Sequence, residues 1–549
     1  MVDRLQNSAK RTFFSGVLLL TLSTVLVKLI GLLYKIPMLS YLGVEGMGYF
    51  NSAYEIYALF CVISTAGLPV ALSVLISAAV AKGEEGSVPA IYRVTLTVFL
   101  IIGLAGSAVM WFFADGFCHM IQSENTRSCI RAISPTVFFV CFSSALRGYF
   151  QGYQKMLPTA LSQLLESVGK LAFGLLLARF ALYAGYDTAT VAAFAGWGLT
   201  LGTAVSTLYL LVAKVRFSLA RERELTCNGE RAFVGWGGVL KQLARLAIPM
   251  TLGASLVSLT KLIDMTMILR RLQAIGYSEI TANEAYGSYT TLALSVFGLL
   301  PSLVNSVALP LVPMLSAAIA SGDLERQAQM TRASYQLTSL FSLPAAFGIA
   351  AFARPILQLL FRHEPEAVAT AAPLLSYLGI SVFLSCMITA TNSVLHAYRV
   401  VNRPILSMLA GAMVKVVCAY FLIGSPSIAM AGAPISTFLC NATVVLLNLY
   451  FASGFCPAPS LGEIFLRPML VSAVSVGLSF GLYFTVYLRW GESAWLTLSA
   501  LLLTFVFYLI LSCLFGVFCE DDLRAIPFGE RAVRLLKRLH LMGRNDVKP

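Results

Sequence analysis

Long apolar stretches separated by short polar segments recur along the whole chain. Each stretch holds at least about 18 mostly apolar residues, which is enough for a helix to cross a bilayer. With polar residues and Gly/Pro clusters taken as breaks, the pattern predicts about fourteen transmembrane helices. Their expected limits are 12–39, 48–80, 91–114, 130–150, 158–183, 188–214, 240–271, 283–320, 332–353, 368–396, 402–424, 428–452, 465–488 and 494–517.

Composition supports a membrane protein. Of the 549 residues, 58% are hydrophobic and 12% are charged, and the mean hydropathy is +0.80. A soluble chain of this size could not bury so much apolar surface, so lipid is the expected solvent. The first apolar run is too long for a signal peptide, and no small-residue cleavage site follows it. The predicted fold class is therefore an all-α polytopic membrane protein that retains its first helix.

The distribution of basic residues predicts the topology. With the amino terminus in the cytoplasm, inside segments hold about 26 Lys/Arg and outside segments about 8. The densest clusters are the 214–245 loop and the tail beyond Arg524, and both fall inside. The tail reads as a basic amphipathic helix on the inner leaflet. Topology therefore accounts for the net charge of +13, and nucleic acid is not an expected partner.

Internal repeats divide the chain into two pseudo-symmetric six-helix lobes followed by two further helices. SALRGY (144–149) corresponds to SVLHAY (393–398), and a proline follows each of them after a short loop, Pro158 or Pro404. An even number of helices per lobe gives both lobes one orientation, with the substrate expected between them. The predicted domains are an N-lobe, a cytoplasmic linking loop, a C-lobe, a terminal helix pair and a cytoplasmic basic tail: 1–214, 215–245, 246–455, 460–518 and 519–549.

Lysines inside apolar helices are the main candidates for a binding site. A charge at mid-membrane costs about 2.5–3.5 kcal/mol, so it normally faces a polar cavity or a partner. Lys28 and Lys35 lie in VLVKLIGLLYK, and Lys261 lies in the related SLTKLIDMT, three residues before Asp264. An anion site is one interpretation. Structural ion pairs are the other, with Lys35 reaching the outer headgroups and Lys261 neutralised by Asp264.

Further charged residues complete the candidates. Glu166 and Lys170 have the favourable i,i+4 order for a structural pair, and they are also candidate coupling or gating groups. Glu55 has no evident local partner and is a candidate proton or cation site, as is Asp264. Arg147, at the end of predicted helix 4, suits either a headgroup contact or substrate capture. Lys415 is the remaining intramembrane lysine.

Enzyme and metal chemistry find no support in the sequence. There is no GxxxxGK[ST] phosphate loop, no HExxH and no Ser/His/Asp motif, so neither catalysis nor a metal site is expected. Most of the eleven cysteines lie in apolar helices as small hydrophobes. Cys118 and Cys129 are expected in one polar loop, and the sequence leaves open whether they pair.

Several motifs resemble one family over nearly the whole chain. They are SALRGYFQGYQKMLPTALSQLLE (144–166), GLPVALS (67–73), VKLIGLLYK (27–35), YLGVEGMGYF (41–50) and the tail segment LRAIPFGERAVR. In this order they resemble the polysaccharide-flippase branch of the multidrug/oligosaccharidyl-lipid/polysaccharide exporter superfamily. The nearest likeness is to the stage V sporulation protein B group and the MurJ-type lipid II flippases.

The resemblance implies a two-lobed alternating-access flippase of the bacterial cytoplasmic membrane, with both termini cytoplasmic. Its family substrate is an undecaprenyl-pyrophosphate-linked sugar, and basic residues on helix 1 are thought to engage the pyrophosphate. Lys28 and Lys35 stand at those positions, with lysine where arginine is common in relatives. YGSYTTLAL in helix 8 lacks the basic residue that some relatives carry, and we expect Lys261 to supply that charge. Lysine lacks the bidentate fork of arginine, so the contact should be looser.

The predicted function is therefore translocation of lipid II or a related lipid-linked saccharide. No cofactor is expected, and the membrane potential or an ion gradient would supply the energy. Membrane lipids and cell-wall synthesis enzymes are candidate partners. Two alternatives stay open: a cation-coupled multidrug antiporter on the same fold, whose cavity should be acidic or aromatic, and a non-transporting scaffold for cell-wall or spore assembly. Teichoic-acid or capsule intermediates are close variants of the substrate.

Overall fold

The protein is built from helices. A computed structural model describes residues 2–225, 236–308, 315–316, 318–319, 321–400, 402–455, 462–491 and 493–516, and these ranges contain no strand. The chain divides into two compact units, Met1–Thr291 (unit 1) and Leu292–Pro549 (unit 2). The lobe limits drawn from the repeats are a different division and stay a prediction. The predicted helical tail, 519–549, lies outside the described residues.

Unit 1 contains nine α-helices in its described residues. Their bounds are α1 Val2–Thr65, α2 Leu68–Ala81, α3 Val88–Phe112, α4 Ala114–Ile121, α5 Arg127–Gly152, α6 Met156–Tyr183, α7 Thr188–Leu225, α8 Trp236–Ala274 and α9 Glu279–Ser288. A π-helical turn, Tyr289–Ala293, follows α9. Helices α7 and α8 extend into the polar segment predicted as a loop at 215–245, of which residues 226–235 lie outside the description.

Unit 2 contains eight further α-helices in its described residues. They are α10 Leu294–Ala308, α11 Leu324–Ala351, α12 Ala353–Leu360, α13 Pro365–Ala397, α14 Asn402–Ile423, α15 Gly432–Ser453, α16 Arg467–Trp490 and α17 Ala494–Leu514. Helices α11 and α12 meet at an angle of 81°. Aromatic rings fill part of this unit, where Phe352 packs edge-on against Phe480 and Tyr483 of α16.

The predicted membrane architecture is confirmed. Within the described residues, ten helices are long and apolar enough to cross a bilayer, or eleven if α11 and α12 form one bent span. Each of the fourteen predicted ranges overlaps an observed helix. The larger number remains compatible because α1 covers predicted helix 12–39 and most of 48–80, and the predicted helix at 283–320 is interrupted by the π turn. Helix α6 forms where 158–183 was predicted but is not among the ten.

Two local signals explain how the start of the chain is divided. Gly43 interrupts α1 with a φ of 63°, a left-handed conformation that favours glycine. The predicted helix at 48–80 is also interrupted, at residues 66–67, and α2 begins with Leu68 and Pro69. Proline suits the first turn of a helix, where its missing N–H leaves no hydrogen bond unmade.

Small residues bring helix backbones into close contact, as expected where lipid provides no hydrophobic force between helices. A Cβ on Gly198 of α7 would overlap the backbone of Gly174 in α6. A Cβ on Gly48 of α1 would overlap the carbonyl of Asn283 in α9. The α1–α9 contact holds α1 against α9, and both helices contribute residues to the polar region of unit 1.

One expectation about the cysteines is wrong. Cys118 and Cys129 lie in helices α4 and α5, not in a polar loop, and both are buried with free thiols. The thiol of Cys129 donates to the carbonyl oxygen of Ala192 at 3.4 Å. Burial raises the pKa of Cys118 to about 11, so its thiol stays protonated at neutral pH. These two cysteines act as small core residues.

Candidate functional site

Three of the predicted lysines lie close together in unit 1. Lys28 and Lys35 are on α1 and Lys261 is on α8, and the charge of Lys261 acts on both of the others. Lys28 and Lys261 are exposed, whereas Lys35 is half-buried. Like charges repel at this range, so the arrangement favours a shared anion. We call Lys28, Lys35 and Lys261 the lysine cluster.

Lys35 is held by the backbone of the π turn. Its ammonium group donates to the carbonyl oxygen of Thr290 at 3.2 Å. A π turn displaces the regular hydrogen-bond ladder, and such turns occur frequently at functional sites. The amide of Asn51 on α1 supports the turn by donating to the hydroxyls of Thr290 and Thr291, both at 2.8 Å. The YGSYTTLAL segment has no basic residue, and Lys35 of α1 therefore supplies a cation to it.

Asn51, Thr290 and Thr291 were missed by the sequence analysis. The available signal was the pair of adjacent threonines within the apolar run YGSYTTLAL. Adjacent threonines are poorly suited to a regular helix, since their hydroxyls compete for backbone groups. That signal indicates a local irregularity, but it does not identify a lysine on another helix as the partner.

The two predicted carboxylates near the lysine cluster are both half-buried. Glu55, on α1, lies within electrostatic reach of Lys35 and of Tyr286 on α9. Asp264, on α8, also lies within reach of Tyr286. Direct pairing of Lys261 with Asp264 stays a prediction. Three cations and two carboxylates thus share this region of unit 1, which leaves one excess positive charge if all five are ionised.

A second charged group joins α5 and α6. Glu166 accepts from Lys170 at 2.5 Å, as the i,i+4 spacing predicted, and from the guanidinium of Arg147 at 2.7 Å. The three side chains are 14%, 22% and 15% exposed, respectively, so the network is largely buried. Arg147 also donates from Nε to the hydroxyl of Ser162 at 2.9 Å. We call Arg147, Glu166 and Lys170 the charge triad.

Polar contacts also join three segments of unit 1. The carboxylate of Glu279, at the start of α9, accepts from the hydroxyl of Ser123 at 3.3 Å and the backbone N–H of Asn125 at 3.1 Å. Asn125 donates through its side chain to the hydroxyl of Tyr49 on α1 at 3.2 Å. Asn283 of α9 donates to Ser123 at 3.1 Å. These contacts form a latch among α1, the α4–α5 connection and α9.

Lys415, the remaining predicted lysine, belongs to unit 2, where it is half-buried on α14. The structure therefore brings Lys28, Lys35, Lys261, Glu55 and Asp264 into one region of unit 1. It places Arg147, Glu166 and Lys170 in a separate, bonded network of the same unit.

The chain matches known membrane proteins over most of its length. Residues 13–319 match a family described as polysaccharide biosynthesis protein, and residues 249–421 match one described as MatE. The chain is 26% identical to stage V sporulation protein B of Bacillus subtilis (strain 168), over 96% of this chain and 99% of that protein. It is 24% identical to lipid II flippase MurJ of the same organism, over 73% and 76% of the two chains.

Solved structures show the same fold at low identity. A lipid II flippase MurJ in an inward closed conformation aligns with a TM-score of 0.68 and 14% identity, over 91% of this chain and 98% of that one. An inward-facing multidrug resistance MATE family transporter of the MOP superfamily aligns with a TM-score of 0.60 and 14% identity, over 78% and 97%. The arrangement of helices is therefore that of these transporters.

Proposed function

Since this chain belongs to the polysaccharide biosynthesis protein family of the MOP superfamily, we propose that it is an alternating-access flippase for an undecaprenyl-pyrophosphate-linked saccharide. Its substrate would be lipid II or a related cell-wall precursor, moved across the bacterial cytoplasmic membrane by a chain with both termini in the cytoplasm. The observation that carries the proposal is the lysine cluster, to which α1 and α8 contribute from distant parts of the sequence.

The chemistry of the substrate supports this role for the cluster. A diphosphate diester carries about two negative charges, and carrying charge through hydrocarbon is costly. Lys28, Lys35 and Lys261 lower that cost by neutralising the headgroup while the lipid tail stays in the bilayer. Hydrogen bonding to the carbonyl of Thr290 orients the Lys35 ammonium group, although lysine gives a point charge without the bidentate geometry of arginine.

The energy source would be the membrane potential or an ion gradient. An inside-negative potential is worth about 2.3 kcal/mol per charge per 100 mV, which is enough to bias reorientation of a charged site. Asp264 and Glu55 are the carboxylates best placed to couple an ion to the lysine cluster. Replacing Asp264 by Asn should leave lipid binding intact and reduce the response of transport to an imposed gradient in liposomes.

The multidrug antiporter is the second candidate because residues 249–421 match the MatE family. A cation exporter needs a cavity that attracts cations, whereas the lysine cluster repels them. Cell-wall synthesis enzymes stay candidate partners of the flippase. A non-transporting scaffold, the third candidate, requires none of the intramembrane lysines.

The deciding experiment is complementation of a flippase-depleted bacterial strain. Lys28→Ala should abolish growth rescue while the protein still accumulates in the membrane. Lys241→Ala is the matched control, because it removes an exposed lysine near the start of α8 and should rescue normally. Normal growth with Lys28→Ala would count against lipid diphosphate transport and favour the scaffold.

Native mass spectrometry of the purified protein tests the substrate directly. The proposal predicts a bound undecaprenyl-linked lipid that the wild type retains and Lys28→Ala loses. The mass of the bound lipid would distinguish lipid II from teichoic-acid or capsule intermediates. Recovery of amphiphilic cations in its place would favour the antiporter.

A further inference from the structure

The charge triad has an excess positive charge in a largely buried setting. Arg147 and Lys170 together bring two cations to the single carboxylate of Glu166. Burying charge is unfavourable unless each group is paired, and a second anion would complete the pairing. Arg147 and Lys170 therefore form a candidate anion site. In this structure the protein's own Glu166 carboxylate occupies it.

Arg147 is held in place independently of Glu166. Its Nε donates to Ser162, whose own hydroxyl donates to the carbonyl oxygen of Thr159 at 2.7 Å. The backbone carbonyl of Ser162 in turn accepts from Ser206 on α7 at 2.8 Å. The guanidinium thus keeps its orientation if the carboxylate moves away. A pre-oriented guanidinium suits bidentate recognition of phosphate as well as of carboxylate.

The triad lies beside the lysine cluster. Tyr54 of α1 is within electrostatic reach of Glu166 and Lys170, and Glu55 follows it in the chain. Glu55 is in turn within reach of Lys35. Two consecutive residues of α1, Tyr54 and Glu55, therefore lie within electrostatic reach of the triad and of the lysine cluster, respectively.

The corresponding hairpin in unit 2 shows that packing does not require the triad. At the position of Arg147, the repeat SVLHAY has His396. In the register set by Pro158 and Pro404, Ala412 stands where unit 1 has Glu166. Residues 367–453, which contain α14, α15 and nearly all of α13, include no Asp or Glu. A hairpin of the same kind therefore packs without a carboxylate at this point.

We propose that Glu166 is an internal substitute for phosphate, which holds Arg147 and Lys170 in this state and is displaced when the substrate's diphosphate reaches them. The inference rests on the proposed function and adds a second contact for the same headgroup. Displacement would make the second phosphate a determinant of specificity. It would also return the two cations to Glu166 once the headgroup leaves, which favours release.

The test measures lipid affinity in the full-length protein by thermophoresis in detergent, with undecaprenyl diphosphate and undecaprenyl monophosphate as probes. Glu166→Gln removes the competing charge and should raise affinity for the diphosphate about tenfold, with a much smaller effect on the monophosphate. Ser162→Ala leaves every charge in place but releases Arg147, and should lower diphosphate affinity about threefold. Glu325→Gln, an exposed carboxyl on α11, is the matched control and should change neither.

The outcomes separate this inference from the proposed function. If the wild type binds neither lipid, the proposed function fails and the inference fails with it. If the wild type binds the diphosphate and Lys28→Ala weakens that binding, but Glu166→Gln leaves it unchanged or weaker, the inference alone is overturned. Should Glu166→Gln not fold, Ser162→Ala decides: unchanged affinity with a lowered melting temperature would mean a purely structural triad.

Discussion

The two units contain corresponding helical hairpins, and comparing them separates shared features from specific ones. The repeats SALRGY and SVLHAY place Tyr149 in unit 1 and Tyr398 in unit 2. Both tyrosines belong to aromatic clusters that include a cation. Tyr149 packs against Phe217 with the Lys214 ammonium group 6.0 Å from its ring, and Tyr398 stacks on Phe455 beneath the guanidinium of Arg403.

The charge triad, by contrast, occurs in one hairpin only. Arg147 has an exposed histidine, His396, as its counterpart, and Glu166 has an alanine. Features that both hairpins share are explained by a common need to pack helices and anchor their ends. A buried charge network present in one of them needs a different explanation, because ion pairs seldom improve on apolar packing in a protein interior. The difference supports the proposal that unit 1 recognises the anion.

The largest expected effect comes from removing the carboxylate of the triad. Glu166→Ala leaves Arg147 and Lys170 buried without their shared anion, which should lower the free energy of unfolding by about 3–5 kcal/mol. The measurement is thermal unfolding of the purified protein in detergent. Ala412→Ser, at the corresponding position of unit 2, is the control and should have a much smaller effect.

A triple variant makes the hairpin of unit 1 resemble that of unit 2. Arg147→Met, Glu166→Ala and Lys170→Met together remove all three charges, so stability should return to within about 1–2 kcal/mol of the wild type. Growth rescue should nevertheless be lost, since the anion contacts are gone. A triple variant that transports normally would show that the triad is structural and takes no part in binding the substrate.

Much of the fold could be predicted from the sequence because its signals are local. Each of the ten candidate spans in the described residues overlaps a predicted apolar run, and the i,i+4 order of Glu166 and Lys170 predicted their ion pair. The break at Gly43 falls between the predicted helices 12–39 and 48–80, whereas the interruption at residues 66–67 was not predicted, since a single glycine within an apolar run is also compatible with an uninterrupted helix. Helix α4, which carries Cys118, is short and amphipathic, and its polar residues made this segment resemble a loop.

The site was less predictable because its contacts join distant residues. Lys35 and Thr290 are on separate helices, and neither the π turn nor the partner of Lys35 has a sequence signature. Arg147 reaches Glu166 across a helix–helix interface, so a surface contact and substrate capture were both reasonable expectations. Candidate residues can thus be predicted from the sequence because a charged side chain within a membrane is energetically costly. Their partners can be identified only once the fold is known.

An intermediate effect is expected at the latch, which is another polar feature of unit 1. Glu279→Ala removes the acceptor for Ser123 and for the backbone N–H of Asn125, which should destabilise the contact by about 0.5–1.5 kcal/mol. Hydrogen exchange of the Asn125 amide should accelerate, while exchange in α6 stays unchanged. Glu284→Ala, on the same helix, is the control. Faster exchange throughout unit 1 would mean that Glu279 supports the whole unit and not this contact alone.

The smallest expected effect tests the shared features. Lys214→Met and Arg403→Met each remove a cation from an aromatic cluster, and each should lower stability by about 0.5–1 kcal/mol. The two losses should be similar, because the cations lie at similar distances from a ring centroid, 4.9 Å for Lys214 over Tyr92 and 5.1 Å for Arg403 over Phe455, and lipid affinity should not change. Lys241→Met is the control for removing an exposed basic residue. If Lys214→Met alone weakened diphosphate binding, the aromatic cluster of unit 1 would contribute to substrate binding, and it could no longer be explained by helix packing alone.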